Sequence, residues 1–238
     1  MKVNSFIQNL NEGLYDPGIF KAFFLAGGPG SGKTFVTSSA FAGTGLKLVN
    51  SDNAFERNLK KAGLSMKMPD EEEYFRNIIR QRAKTTAITQ LETYLKGRLG
   101  LVIDSTGRDY DLIARNVNML KQIGYDCYMV FVNTSLEVAL ARNARRERTI
   151  PEYITTSSWN GVQSNMGKFQ RLFGMSNFLV VDNNKSDLEL TTLTMNRVSK
   201  EVRKYMKTPI QSYIAKRWMA SERKAKRRWL KHLKILWI

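Results

Sequence analysis

Cysteine and histidine are almost missing from this 238-residue chain: there is one of each, Cys127 and His232. A lone cysteine cannot close an internal disulfide, which points to a reducing compartment. With the only histidine near the C-terminus, the body has no Cys/His cluster for zinc and no Ser–His pair for hydrolysis. Long apolar runs are missing too. No segment approaches the roughly 18 uninterrupted apolar residues of a membrane span. The opening MKVNSFIQNLNEGLYDPG has no signal-peptide core. These absences predict a cytoplasmic protein with no transmembrane segment. Neither an internal repeat nor a low-complexity block is present.

Acid is the scarce charge, with 21 Asp/Glu against 38 Lys/Arg and a net charge of +17. The excess is uneven. Residues 197–238 hold 14 Lys/Arg against 2 Glu, so this segment carries +12 and residues 1–196 carry +5. A mildly basic body therefore precedes a strongly basic extension. With 42 % hydrophobic residues, the body is long and apolar enough for one full core.

Short apolar runs alternate with longer stretches of helical period, the pattern of a parallel α/β sheet. Strands are predicted at about 21–26, 46–50, 99–104, 127–133 and 177–182. Helices are predicted near 33–41, 53–62, 70–96, 109–123 and 135–172, the last broken at Pro151. The 70–96 helix opens on Asp70, Glu71, Glu72 and Glu73, carries Tyr74, Ile78, Leu91 and Leu95 at helical spacing, and stops at Gly97. A doubly wound domain over residues 18–185 follows, with its ligand at the strands' C-terminal edge. Residues 186–238 are read as a helical basic extension.

The stretch FFLAGGPGSGKTFV, residues 23–36, runs from a predicted strand through a glycine-rich loop into a predicted helix. Gly27, Gly32, Lys33 and Thr34 satisfy G-x-x-x-x-G-K-[ST] in the context that gives this pattern its meaning. Loop residues Gly27, Gly28, Pro29, Gly30, Ser31 and Gly32 would turn backbone N–H groups toward phosphate oxygens. Lys33 would reach the β and γ phosphates, and the Thr34 hydroxyl would ligate Mg²⁺. A five-stranded P-loop NTPase fold binding ATP or GTP is the expectation.

Three further clusters fall where strands meet the ligand edge. VNSD ends in Asp52 after the second strand, placed to accept a proton from an attacking hydroxyl or to cap the helix that follows. VIDSTGR puts Asp104 at the end of the third strand, suited to Mg²⁺ or its water shell, with Thr106 and Arg108 in the next loop. ARNARRERTIP gathers Arg142, Arg145, Arg146 and Arg148 beyond the fourth strand. That cluster reads either as a lid that neutralises phosphate charge or as a solvated helix face. In one topology, the loop, the two acids and the arginines describe a kinase for a hydroxyl acceptor.

Over about residues 20–185 the chain resembles the zeta-toxin and polynucleotide-kinase group of P-loop kinases. The resemblance rests on Asp104-Ser105-Thr106, on Arg142-Asn143-Ala144-Arg145-Arg146, on Ile150-Pro151, and on Asp104, Thr106 and Arg108 at the E-x-T-x-R position of zeta toxins. It implies that Asp52 is the general base, that Arg146 and Arg142 grip the nucleotide phosphates, and that Thr106 and Arg108 meet the acceptor. A polynucleotide 5′-hydroxyl or a sugar nucleotide such as UDP-N-acetylglucosamine is the implied acceptor. Both families carry Arg three positions after the base, where this chain has Phe55, with Arg57 two further on. The chain also looks like zeta-like kinases of large bacteriophages, which would make the setting a host cytoplasm.

A different class competes. DSTG at 104–107 and NKSD at 184–187 fit the D-x-x-G and N-K-x-D of regulatory GTPases. Against a nucleotide switch stand the long helix in the switch interval and the absence of a predicted strand after NKSD. Ser186 and Glu189 also form a capping box.

In the extension, Ile210, Ile214, Trp218, Ala225, Trp229 and Leu233 recur mostly four apart, giving an amphipathic helix with a basic face. Packing on the domain, binding nucleic acid and lying on an anionic membrane all remain open. A nucleotide-gated nucleic-acid-binding module is the matching non-catalytic alternative. Trp159, Gln163 and Asn165 are candidates for an acceptor pocket, although Trp159 and Phe169 also read as core.

Overall fold

A computed structural model describes residues 13–67, 69–184 and 188–236. The first strand, β1 (Lys21–Ala26), is buried along its whole length because both faces of the sheet are covered. Its side chains alternate: Ala22, Phe24 and Ala26 enter one core, Phe23 and Leu25 the other. β2 (Lys47–Val49), β3 (Leu101–Asp104), β4 (Asp126–Asn133) and β5 (Phe178–Asp182) complete a parallel sheet in the order β2-β3-β1-β4-β5. All five predicted strands are present, and the fold is that of a P-loop NTPase.

On the Phe23 face lie α1 (Lys33–Ala40), through Val36 and Ala40, and α7 (Leu188–Lys207), through Met195, Val198 and Val202. The first helix of the basic extension is thus part of the domain's core. Helix α4 (Tyr110–Gln122) covers the Phe24 face with Ile113, Val117 and Leu120, and α6 (Glu152–Phe173) with Val162, Phe169 and Phe173. Between β4 and α6 runs α5 (Leu136–Ala144); the expected break at Pro151 is a loop over residues 145–151.

Helix α2 (Ser51–Lys61) begins two residues before its predicted start, because Asn50 caps it. It packs on α3 (Glu73–Lys96) through a small separate cluster of Ala54, Phe55, Leu59, Ile79 and Ala83. Acidic residues Asp70–Glu72 form a 3-10 turn ahead of α3 rather than its first turn. The apolar stripe also differs from expectation. Tyr74 and Ile78 are exposed, and the buried row is Ile79 and Ala83, continued by Ala87, Leu91 and Leu95 against the main core.

A GTPase sheet is not formed. Every strand pair among the described residues is parallel, β5 is the last strand there, and α3 fills the interval from β2 to β3. Lys185–Asp187 of NKSD, and with them Ser186 of the capping box, lie outside the described residues. Asn184 is committed to the loop: its Oδ1 accepts from Ser135 N at 2.6 Å and its Nδ2 donates to Asp182 Oδ1 at 2.6 Å.

The final helix, α8 (Tyr213–Leu236), runs beneath the N-terminal edge of the sheet. Gly124, at φ +103°, lets Ala215 approach so closely that a Cβ at 124 would stand 3.0 Å from Ala215 N. Trp218 meets Phe20 edge-on at 5.5 Å. Of the predicted row, Ile210 and Trp218 are docked, joined by Ala215 and Met219, whereas Ile214, Ala225 and Trp229 are exposed. Leu233 and His232 lie beyond the described side chains. No helix among the described residues is long and apolar enough to cross a membrane.

Candidate functional site

At the opposite, C-terminal edge of the sheet, residues 27–32 leave β1 and enter α1. Gly32 is the N-cap of α1 at φ +91° with no side-chain cap, so the helix's first N–H groups stay open to an anion. Lys33 Nζ donates to Gly27 O at 2.5 Å, with Gly28 O at 3.5 Å. Burial pushes this ammonium's pKa down, against the pull of Asp104 and Asp52, and Arg146 and Arg148 push it the same way as burial.

Two glycines are dictated by contact as well as by backbone. At Gly30 (φ +78°) a Cβ would run into the Ala139 carbonyl, and at Gly32 into the Asn183 amide. Asn183, just past β5, is a clamp with no sequence signature. Its Nδ2 donates to Ser31 O at 2.7 Å and its carbonyl accepts from Arg142 Nη1 at 2.8 Å. Replacing Gly32 by Ala combines left-handed strain with this collision, about 1–3 kcal/mol for the strain alone. Binding of a fluorescent ATP analogue by Gly32→Ala should weaken by at least about tenfold.

The tip of β3 is fastened to the same loop, with Gly27 N donating to Thr106 O at 2.9 Å and Ser105 Oγ to Leu25 O at 2.9 Å. Asp104 Oδ2 accepts from Asn50 Nδ2 at 2.7 Å, while its buried Oδ1 has no hydrogen-bond partner. Burial raises the Asp104 pKa, Lys33 lowers it, and Asp52 adds to the rise. An orphaned carboxylate oxygen that shares a cavity with the exposed Thr34 is the kind of oxygen donor a hard cation takes, so these residues fit Mg²⁺.

Asp52 is not the helix cap. Asn50 holds that place, accepting from Asp52 N at 2.6 Å, so the Asp52 side chain (51 % exposed) is left to the cavity. Its Oδ2 lies 3.5 Å from Arg148 Nη2, and Arg148, with 7 % of its side chain exposed, also pairs with Glu56 at 2.9 Å. The sequence offered no reason to single out Arg148 from its neighbours. Asn143 zips the arginine loop, bonding the carbonyl and the N–H of Ile150 at 2.6 and 3.2 Å.

One cavity of about 350 Å³ is lined by Pro29, Gly30, Gly32, Lys33, Thr34, Asn50, Asp52, Asp104, Thr106, Arg142, Arg146 and Arg148, among others. Arg108 is outside that lining, its Cγ 3.1 Å from where a Cβ on Gly161 would stand. Trp159, Gln163 and Asn165 brace the site rather than line it. They donate to Thr134 O, Asn133 Oδ1 and the carbonyls of Gly107 and Arg108 respectively. Phe55 is buried, with the Arg80 guanidinium 4.2 Å above its ring and that of Arg148 at 5.7 Å.

A family profile described as an AAA domain matches residues 23–169, from β1 through most of α6. The chain belongs to that family. Several solved structures share this AAA-domain protein's fold. A candidate kinase from Chloroflexus aurantiacus is 17 % identical with a TM-score of 0.53, covering 77 % of this chain and 97 % of its own. An AvrRxo1-ORF1:-ORF2 complex with ATP is 16 % identical at TM-score 0.53, covering 83 % and 70 %. The PezAT toxin–antitoxin system of Streptococcus pneumoniae is 14 % identical at TM-score 0.51, covering 86 % and 94 %. No curated protein matches the sequence. The likeness shows that these proteins share the P-loop fold.

Proposed function

We propose that this AAA-domain protein is a phosphotransferase that moves the γ-phosphate of ATP or GTP to an alcohol acceptor, a polynucleotide 5′-hydroxyl or a sugar nucleotide such as UDP-N-acetylglucosamine. One observation carries the reading: the Asp52 carboxylate lines the same cavity as Lys33, Thr34, Asp104 and the arginines of the lid. A nucleotide-hydrolysing switch needs no such carboxylate facing an incoming hydroxyl.

On this reading the acceptor oxygen attacks the γ-phosphorus, the bond to the β–γ bridging oxygen breaks, and the nucleoside diphosphate leaves. The hydroxyl proton passes to Asp52. Lys33 exchanges its loop carbonyls for β- and γ-phosphate oxygens, and Arg146 and Arg142 spread over the charge of the transferring group. Thr34 and Asp104 would hold Mg²⁺, which supplies Lewis-acid neutralisation of phosphate charge. Thr106, which also lines the cavity, would meet the acceptor.

The arginine expected three residues after the base is replaced by Phe55, and Arg80 reaches the same neighbourhood from α3 by lying on that ring. Asp52 is among the charges that act on Arg80, so the guanidinium stands within its field. Arg80→Ala should raise the acceptor KM by about 10- to 100-fold, the worth of a charged hydrogen bond, with ATP affinity retained. Steady-state kinetics in both substrates reads this split.

The acceptor class is tested by offering γ-labelled ATP with 5′-hydroxyl DNA, 5′-hydroxyl RNA and UDP-sugars in parallel. Label in one class is expected. Release of label only as inorganic phosphate would remove the kinase reading.

A further inference from the structure

The exposed side of α8 carries a charge pattern that the catalytic cavity does not use. On a helix of about 3.6 residues per turn, the pairs Lys216/Arg217, Arg223/Lys224 and Arg227/Arg228 all fall within an arc of about 140°. All six side chains are exposed. The docked residues Ala215, Trp218 and Met219 fall on the opposite side, as does Lys226, which lies over the Tyr15 ring at 4.2 Å. The acid in this stretch, Glu222, is off the cationic arc.

Two alternatives fail on this geometry. A helix lying in a bilayer interface presents a continuous apolar face outward; here Ala215 and Trp218 are docked on Gly124 and Phe20, and the outward arc is cationic. A substrate channel would bring the cations to the cavity. Instead α8 docks at the starts of β1 and β4, whereas the cavity lies past their ends, about 20 Å away for a six-residue strand.

We propose that this outward face of α8 binds the phosphate backbone of double-stranded DNA without reading its sequence. The site holds the protein on the duplex while the nucleotide cavity works at the far edge of the sheet. The three cation pairs extend over about 18 Å at 1.5 Å per residue. An arc of this width can engage phosphates on both sides of a B-form major groove, about 12 Å across and wide enough for a helix. A-form RNA has a deep, narrow groove that denies a helix this approach. The inference is independent of the kinase reading.

The test is the salt dependence of full-length protein binding to a labelled duplex of arbitrary sequence. Six phosphate contacts give a log–log slope of about −5. The variant Arg223→Gln/Lys224→Gln/Arg227→Gln/Arg228→Gln should bring the slope to about −2 while ATP-analogue binding stays unchanged. Replacing Arg223, Arg227 and Arg228 by Lys should leave the slope near the wild-type value. In the wild type, duplex should protect Lys216 and Lys224 from an amine-acetylating reagent, a readout that needs no variant. An unchanged slope in the glutamine variant would overturn the proposal. So would protection of lysines elsewhere, or adsorption to phosphatidylserine vesicles without duplex binding.

Discussion

Arg146→Ala is expected to slow phosphoryl transfer by about 10³- to 10⁵-fold, the range for a guanidinium that meets the transferring group. Arg146 is exposed on the loop between α5 and α6, with its own N–H bonded to Asn143 O at 3.2 Å. It lines the same cavity as Lys33, and its charge acts on that ammonium. Arg142, by contrast, is held by the Asn183 carbonyl and has less freedom to follow a moving phosphate. Loop backbone and Lys33 remain in the variant, so nucleotide affinity should change by no more than about tenfold. Single-turnover transfer at saturating ATP, beside an ATP-binding titration, separates the two effects. A rate loss below about tenfold would assign Arg146 to solvent.

Asp52→Asn is expected to lower the transfer rate by about 10²- to 10⁴-fold, the share of a positioned proton acceptor. The amide keeps the shape of the side chain, and Asn50 still caps α2 through the backbone N–H of residue 52. Arg148 loses one of its two carboxylates but keeps Glu56, so the wall of the cavity is preserved. ATP binding should therefore be equal to wild type or tighter, since a negative charge has left the phosphate end of the cavity. A variant that loses ATP binding along with transfer would give Asp52 a structural task.

The strands and the phosphate loop were legible because their signals are contiguous: five apolar runs, and a glycine pattern that sits between a strand and a helix. Contacts between distant segments were not. Asn183 clamps Ser31 from across the sheet, and Asn143 pairs with Ile150 over a loop whose path no local pattern sets. Arg148 looks like its neighbours in sequence, and only the fold places it between Asp52 and Glu56.

Helix α3 misled for a different reason. Its first half packs on α2 and its second on the sheet, so Ile79 and Ala83 are buried while the equally well-spaced Tyr74 and Ile78 are not. The docked face of α8 was likewise chosen by a partner. Gly124 leaves room for Ala215, a residue outside the predicted apolar row.

The most direct test follows the γ-phosphate itself in wild type and Asp52→Asn, with and without the acceptor found by the labelled panel. The account predicts that wild-type nucleotide turnover depends on the acceptor, that the label ends on its hydroxyl, and that Asp52→Asn binds ATP but transfers almost none. Turnover to inorganic phosphate at one rate regardless of acceptor and of residue 52 would contradict it.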